Sequence, residues 1–307
     1  MFKKINFVMC ACVVVTLLAT DVARAVEYDK IPPPSMTRDE ENLARDFKRG
    51  KAPSTDAAKA ALGKEVLAAL AKFTNPDEAA NYTQLRKNIE GFLKERSQSA
   101  EARAVIVNTL VTGASSIAAR NNYSPAARIN CLAILAMLDQ KAETRIDNGI
   151  AAPQPAESAY PTLKGVAERP TMPYYLRAIA LQGVERHASV YFKGGWDNQK
   201  KGEVVRLANS IVDSKPATAL DAKAHAWLVR RGYDLLTTCG VATAYKTALA
   251  HVADAETLPS VRLAALGYLS SVDLARMPDA DKSNYFVGLS HLTRSQLVSW
   301  YEYENDL

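Results

Sequence analysis

A chain of 307 residues exceeds the usual size of one compact core, a limit that a repeat array escapes because each unit packs only on its neighbours. Its formal net charge of +5 is too small for the strong basic patch or stripe that marks a nucleic-acid binder. Strand signals are nearly absent.

The chain opens on Phe2-Lys3-Lys4, an apolar run from Phe7 to Ala19, and Ala23-Arg24-Ala25. That order of positive start, apolar stretch and small-residue cleavage site reads as a secretory signal peptide over residues 1–25, with Val26 as the mature start. An uncleaved anchor is the alternative, against which the run is shorter than the ~20 apolar residues that cross a bilayer. A lipoprotein reading through Cys12 is weaker, since Cys12 lies inside the run. No later stretch reads as a membrane span, so the mature chain is expected to be exported, periplasmic or extracellular, without stable membrane insertion.

Residues 26–53 read as a proline-containing leader, with Ile31-Pro32-Pro33-Pro34 followed by a charged helix opened by Thr37 with Glu40 three positions on. Its few apolar residues, Leu43 and Phe47, predict a loosely docked arm. From residue 54 to 307 the periodicity is helical. Ser54-Thr55-Asp56 caps a run through Lys72, Asn75-Pro76 opens one through Arg96, and Ser99 to Arg120 forms a third.

Internal repetition then becomes the main signal. Arg128 is followed by Cys131, Leu132 and Leu135; Arg177 by Ala180, Leu181 and Val184; Arg262 by Ala265, Leu266 and Leu269. A degenerate copy starts at Lys223, with Ala226 and Trp227 in register and Arg230 where the last apolar residue belongs. These starts are 49, 46 and 39 residues apart, near the ~40–47 of HEAT and armadillo units. Partner helices are expected at Tyr160–Arg169, Lys201–Val212, Val241–Val252 and Asp279–Glu304.

The phrase Leu258-Pro259-Ser260-Val261-Arg262 resembles the second helix of a HEAT repeat. The stretches from Arg177 to His187 and from Ala224 to Leu236 are similar to secreted HEAT-like proteins of planctomycete-type bacteria. The likeness covers about Ser99 to Leu269, and the turn aspartate of the family is missing before Arg128, Arg177 and Arg262. The resemblance implies an all-α, right-handed α-solenoid of helix pairs with a binding or scaffolding role and no reaction.

Candidate sites divide between structural and functional readings. Arg128, Arg177 and Arg262 either bridge neighbouring repeats or form a ladder for carboxylates. The loop Tyr191-Phe192-Lys193-Gly194-Gly195-Trp196 either stacks its aromatics on a ligand, with Arg230 and Arg231 adding charge in the same half, or folds Phe192 and Trp196 back over adjacent helix ends. His187, His225, His251 and His291 show no metal-ligand spacing and read as solvated or cap residues. Cys131 and Cys239 fall in separate layers, which favours buried free thiols over a disulfide. No catalytic, cofactor or metal motif is present. The expected function is a non-catalytic scaffold that engages a protein partner. The rivals are an all-helical enzyme acting on envelope glycans and an acidic-polymer binder.

Overall fold

The computed structural model describes residues 27–94, 99–146, 149–273 and 278–305. The expected signal peptide lies outside them. The described residues form twelve α-helices: α1 (Arg38–Lys48), α2 (Asp56–Ala71), α3 (Tyr82–Lys94), α4 (Ala100–Ala119), α5 (Pro125–Met137), α6 (Tyr160–Glu168), α7 (Tyr174–Tyr191), α8 (Asn198–Val212), α9 (Ala222–Cys239), α10 (Tyr245–Ala253), α11 (Pro259–Ser271) and α12 (Asp279–Asn305). Four strands of two or three residues interrupt them between α5 and α6: β1 (Asp139–Lys141), β2 (Thr144–Ile146), β3 (Gly149–Ala151) and β4 (Gln154–Pro155), with β1 antiparallel to β4 and β2 to β3. Strands this short cannot show period-two alternation, so their sequence carries no strand signal.

Helix starts follow ordinary capping chemistry. Thr55, Ser99, Ser124 and Asp197 each accept a backbone N–H of the first turn of α2, α4, α5 and α8. Thr37 and Glu40 form a reciprocal capping box on α1. Pro125 and Pro259 sit in the first turn of α5 and α11, where a missing N–H costs nothing. The helix expected from Asn75 begins as a 3-10 turn, Pro76–Asn81, and becomes α-helical at Tyr82.

Neighbouring helices pack in pairs. α4 lies on α5, α6 on α7, α8 on α9 and α10 on α11, while the second helices also pack in succession, α5 on α7, α7 on α9 and α9 on α11. A glycine permits one of the closest approaches: a Cβ at Gly183 of α7 would lie 2.8 Å from Leu163 Cδ1 of α6 and 3.0 Å from Ala136 Cβ of α5. One hydrophobic core runs from Ala44 to Leu269.

Two expectations change. The leader is docked: α1 packs on α2 and buries Ala44 and Phe47, with Phe47 only 1% exposed. Ahead of it, Ile31 N–H donates to Thr74 Oγ1 at 2.9 Å and Asp29 N–H to Asn122 O at 2.8 Å. One phenylalanine per eleven-residue helix suffices because α2 supplies the rest of the apolar surface. Second, α4 has 20 residues and a mean hydropathy of 1.3, which makes it long and apolar enough to cross a membrane by length and composition. Its apolarity serves the core, since Ile106, Leu110, Ala114 and Ile117 are buried and α4 packs on α2 and α5.

Candidate binding cleft

Each repeated arginine performs the same local task. Arg128 Nε donates to Ala118 O at 3.2 Å, Arg177 Nε to Ala167 O at 3.0 Å, and Arg262 Nε to Val252 O at 3.2 Å. Every acceptor is ten residues upstream, on the next-to-last residue of the first helix of the same pair. Helix C-terminal carbonyls have no partner inside their own helix. A charged donor from the second helix therefore satisfies one of them and ties the two helices of the pair. The arginines are 5%, 9% and 6% exposed. Burial lowers the pKa of Arg128 and Arg177 below the ordinary guanidinium value.

This corrects the ladder: side chains so enclosed offer no row of donors to a ligand. It also moves the bridge from between repeats to within a pair, although Arg128 Nη2 reaches Met172 Sδ, at 3.0 Å, in the turn before α7. The degenerate copy solves the same problem differently. Lys223 is exposed, and the next-to-last carbonyl of α8, Ile211 O, instead accepts Ser214 Oγ at 2.6 Å, while Ser214 Oγ meets His225 Nε2 at 2.8 Å. The hydroxyl proton being committed to Ile211, the imidazole nitrogen is the donor.

The side of the second helices away from these clamps is open. At 100° per residue, Met137, Tyr175, Val190 and Leu263 lie roughly 100–220° around their helices from Arg128, Arg177 or Arg262, and Trp227 lies there relative to His225. These residues are 64%, 37%, 39%, 50% and 41% exposed in that order. Each second helix thus exposes a large apolar side chain away from its own buried clamp residue.

Two contiguous clefts border Met137. The larger, about 1030 Å³, is walled by α3, the start of α4, the end of α5 and the β1 segment, with Ile89, Ala133, Ile134 and Met137 as apolar lining. The smaller, about 460 Å³, continues over α5, α7 and α9 past Ile129, Ile179, Gln182 and Glu185. Arg86, Ala133 and Met137 border both. No family model, curated protein or solved structure matches this chain.

Arginines shape the clefts. Arg103 donates to Leu93 O (2.8 Å), Asp139 O (2.8 Å) and Gln140 O (3.1 Å), fixing the end of α3 against β1. Leu93 lies ten residues upstream, so Arg103 repeats the offset of the other clamps. Arg186 pairs with Asp139, and Arg231 lies between Glu185 (3.8 Å) and Asp234 (3.3 Å). Burial, followed by Asp234, raises the pKa of Glu185. Arg86 is exposed and in no ion pair among the described residues.

The aromatic loop is mostly interior. Tyr191 and Trp196 are 9% and 5% exposed. Their rings join Tyr160 and His187, with centroids 4.8 Å apart for Tyr160 and Trp196 and 6.0 Å for Tyr191 and Trp196, and Lys200 Nζ sits 5.6 Å from the Trp196 centroid. Phe192 is half-buried with Lys201 Nζ 5.8 Å from its centroid. Stacking on a ligand is therefore corrected to packing over helix ends. Gly195 allows it, since a Cβ there would lie 2.7 Å from Tyr191 Cδ1, in a turn where Gly195 N and Trp196 N both donate to Tyr191 O. Lys193 and Arg230 remain exposed, and of the six loop and charge candidates only Arg231 lines a cleft.

The histidines are less solvated than expected. His187 is fully buried, with Nδ1 2.8 Å from Gly183 O and Nε2 3.0 Å from Ala156 O. His225 is 7% exposed, and His251 Nδ1 meets Tyr233 Oη at 2.7 Å. Burial lowers all three pKa values. His291 is exposed. No metal-holding group of His, Cys, Asp or Glu occurs among the described residues. Cys131 and Cys239 are buried free thiols, as their positions in separate helices predict, and burial pushes the Cys239 pKa up to about 12.

Sequence reasoning missed Arg86, Arg103, Met137 and Arg186. Arg103 stands ten residues after Leu93, the next-to-last residue of α3, an offset hidden from the sequence because that helix was expected to run on to Arg96. The other three are unremarkable until α3 is folded against α5.

Proposed function

We propose that this chain is an exported helical-repeat scaffold, a right-handed α-solenoid of HEAT-like helix pairs, whose second-helix side engages a protein partner. The observation that carries it is Met137, exposed and bordering both clefts, with Tyr175, Trp227 and Leu263 as exposed apolar side chains on three further second helices. Singly scattered apolar residues are ordinary on a surface; one that borders two contiguous clefts marks an interaction face. The stacking of second helices on one another supports the solenoid, because the closer-packed row forms the inner side of a curved array. Export rests on the N-terminal pattern of residues 1–25.

A photo-crosslinking amino acid tests the reading. Placed at Met137 or Trp227 in cells of the source organism, it should trap one discrete protein adduct, whereas placement at the exposed Lys246 of α10 should trap none. Equal adducts from both sides would refute it.

A further inference from the structure

We propose that the cleft takes an extended acidic segment of a partner protein, seating an aliphatic side chain against Met137 and placing carboxylates at Arg86 and Arg103. The proposal rests on the protein-binding reading above and adds the chemistry of the occupant.

Charge is the first ground. Lys94 is neutralised by Glu90 at 2.9 Å and Arg186 by Asp139. Arg103 gives three of its five N–H donors to backbone carbonyls and keeps two; Asp139 attracts it from a distance, but no carboxylate forms an ion pair with it among the described residues. Arg86 is exposed and also without one, and it stands where the two clefts meet. Lys141 adds a further exposed cation, against Glu143 as the exposed acid of the same wall. An arriving carboxylate thus meets two guanidinium groups that are in no direct ion pair, one of them pre-oriented by the fold.

The second ground is the lining between those charges. Ile89, Ala133, Ile134 and Met137 are aliphatic or thioether, and neither cleft has an aromatic side chain in its wall. Sugar rings are gripped by stacking on aromatics, so this lining favours an amino-acid side chain over a glycan. Met137, 64% exposed, is a flexible and polarizable contact that adapts to an incoming apolar residue. Cations and an apolar floor in one cleft wall suit a peptide that combines acids with aliphatic residues.

Fluorescence anisotropy of the purified protein with labelled twelve-residue peptides tests this. One probe carries glutamates alternating with leucines and alanines, a second replaces glutamate by lysine, a third replaces leucine by serine, and a uronic-acid oligosaccharide serves as the glycan probe. The first should bind at least tenfold more tightly than the others and weaken as salt is raised. Arg86→Glu and Met137→Glu, both at exposed positions, should each weaken it at least tenfold while the circular-dichroism melt is unchanged; Arg86→Gln serves if Arg86→Glu melts early. Equal or better binding of the lysine peptide or the oligosaccharide, absence of binding by the first probe, or indifference to both variants would overturn the proposal. Lysine-peptide binding that Met137→Glu abolishes would overturn the acidic specificity and leave the cleft as the protein-binding face. Loss of the Met137 and Trp227 crosslinks would remove that reading itself.

Discussion

At the residue scale, the repeated arginine is a fastening between two helices. Arg177→Ala removes a charged donor from Ala167 O and leaves that carbonyl enclosed without a partner. A loss of about 1–3 kcal/mol in unfolding free energy is expected, read as a lower thermal midpoint. Binding of the acidic peptide by the folded fraction should be unchanged, because Arg177 lines neither cleft. A normal melt with lost binding would restore the ladder. The arginine positions were legible from the repeat alone. Their partners were not, because a carbonyl ten residues upstream leaves no mark in sequence except the place where the preceding helix stops.

At the element scale, α1 shows how little apolar sequence a docked helix needs. Leu43 and Phe47 looked too few to hold a helix, yet Ala44 and Phe47 are fully enclosed against α2. Phe47→Ala should cost about 3–5 kcal/mol at this contact. Because α1 packs mainly on α2 and only lightly on α4, the loss should be local: amide exchange over Arg38–Lys48 accelerates while α5 and α7 keep their protection. Uniform acceleration along the whole chain would contradict an independently detachable helix. The helix pairs themselves were readable from period and caps, whereas the β1–β4 segment was not, its strands being too short to alternate. The cleft was equally hidden: Arg86 on α3 and Met137 on α5 are 51 residues apart in the chain and meet only through packing.

For the whole molecule, three histidines distribute acid sensitivity across successive pairs. His187 lies in α7, His225 in α9 and His251 in α10. Each has its pKa depressed by burial, the acids Asp213 and Asp254 partly opposing this at His251. The unfolded chain, with histidines near pH 6.5, takes up these protons before the folded one does. Stability is therefore full above about pH 6.5 and falls as pH drops through that value towards the folded pKa values. Thermal midpoints should be level from pH 8 to 7 and decline from 6.5 to 5, with His187→Gln flattening the decline. A midpoint that rises on acidification would show that the buried rings accept the proton more readily than free ones. His187, whose two nitrogens both face carbonyl oxygens, is the place where that opposite outcome would arise.

The ten-residue offset of the clamps reaches beyond stability. A contact that closes so short a loop forms with small entropic loss, so the two helices it joins need no distant part of the chain to meet. The arrangement is local in a hereditary sense as well. A gene segment encoding α6 with α7, or α10 with α11, carries both the carbonyl and the arginine that answers it, so its duplication brings its own fastening. The drift of spacing from 49 to 39 residues is what such a chain can tolerate, since the connections vary while Arg128, Arg177 and Arg262 each keep the ten-residue offset.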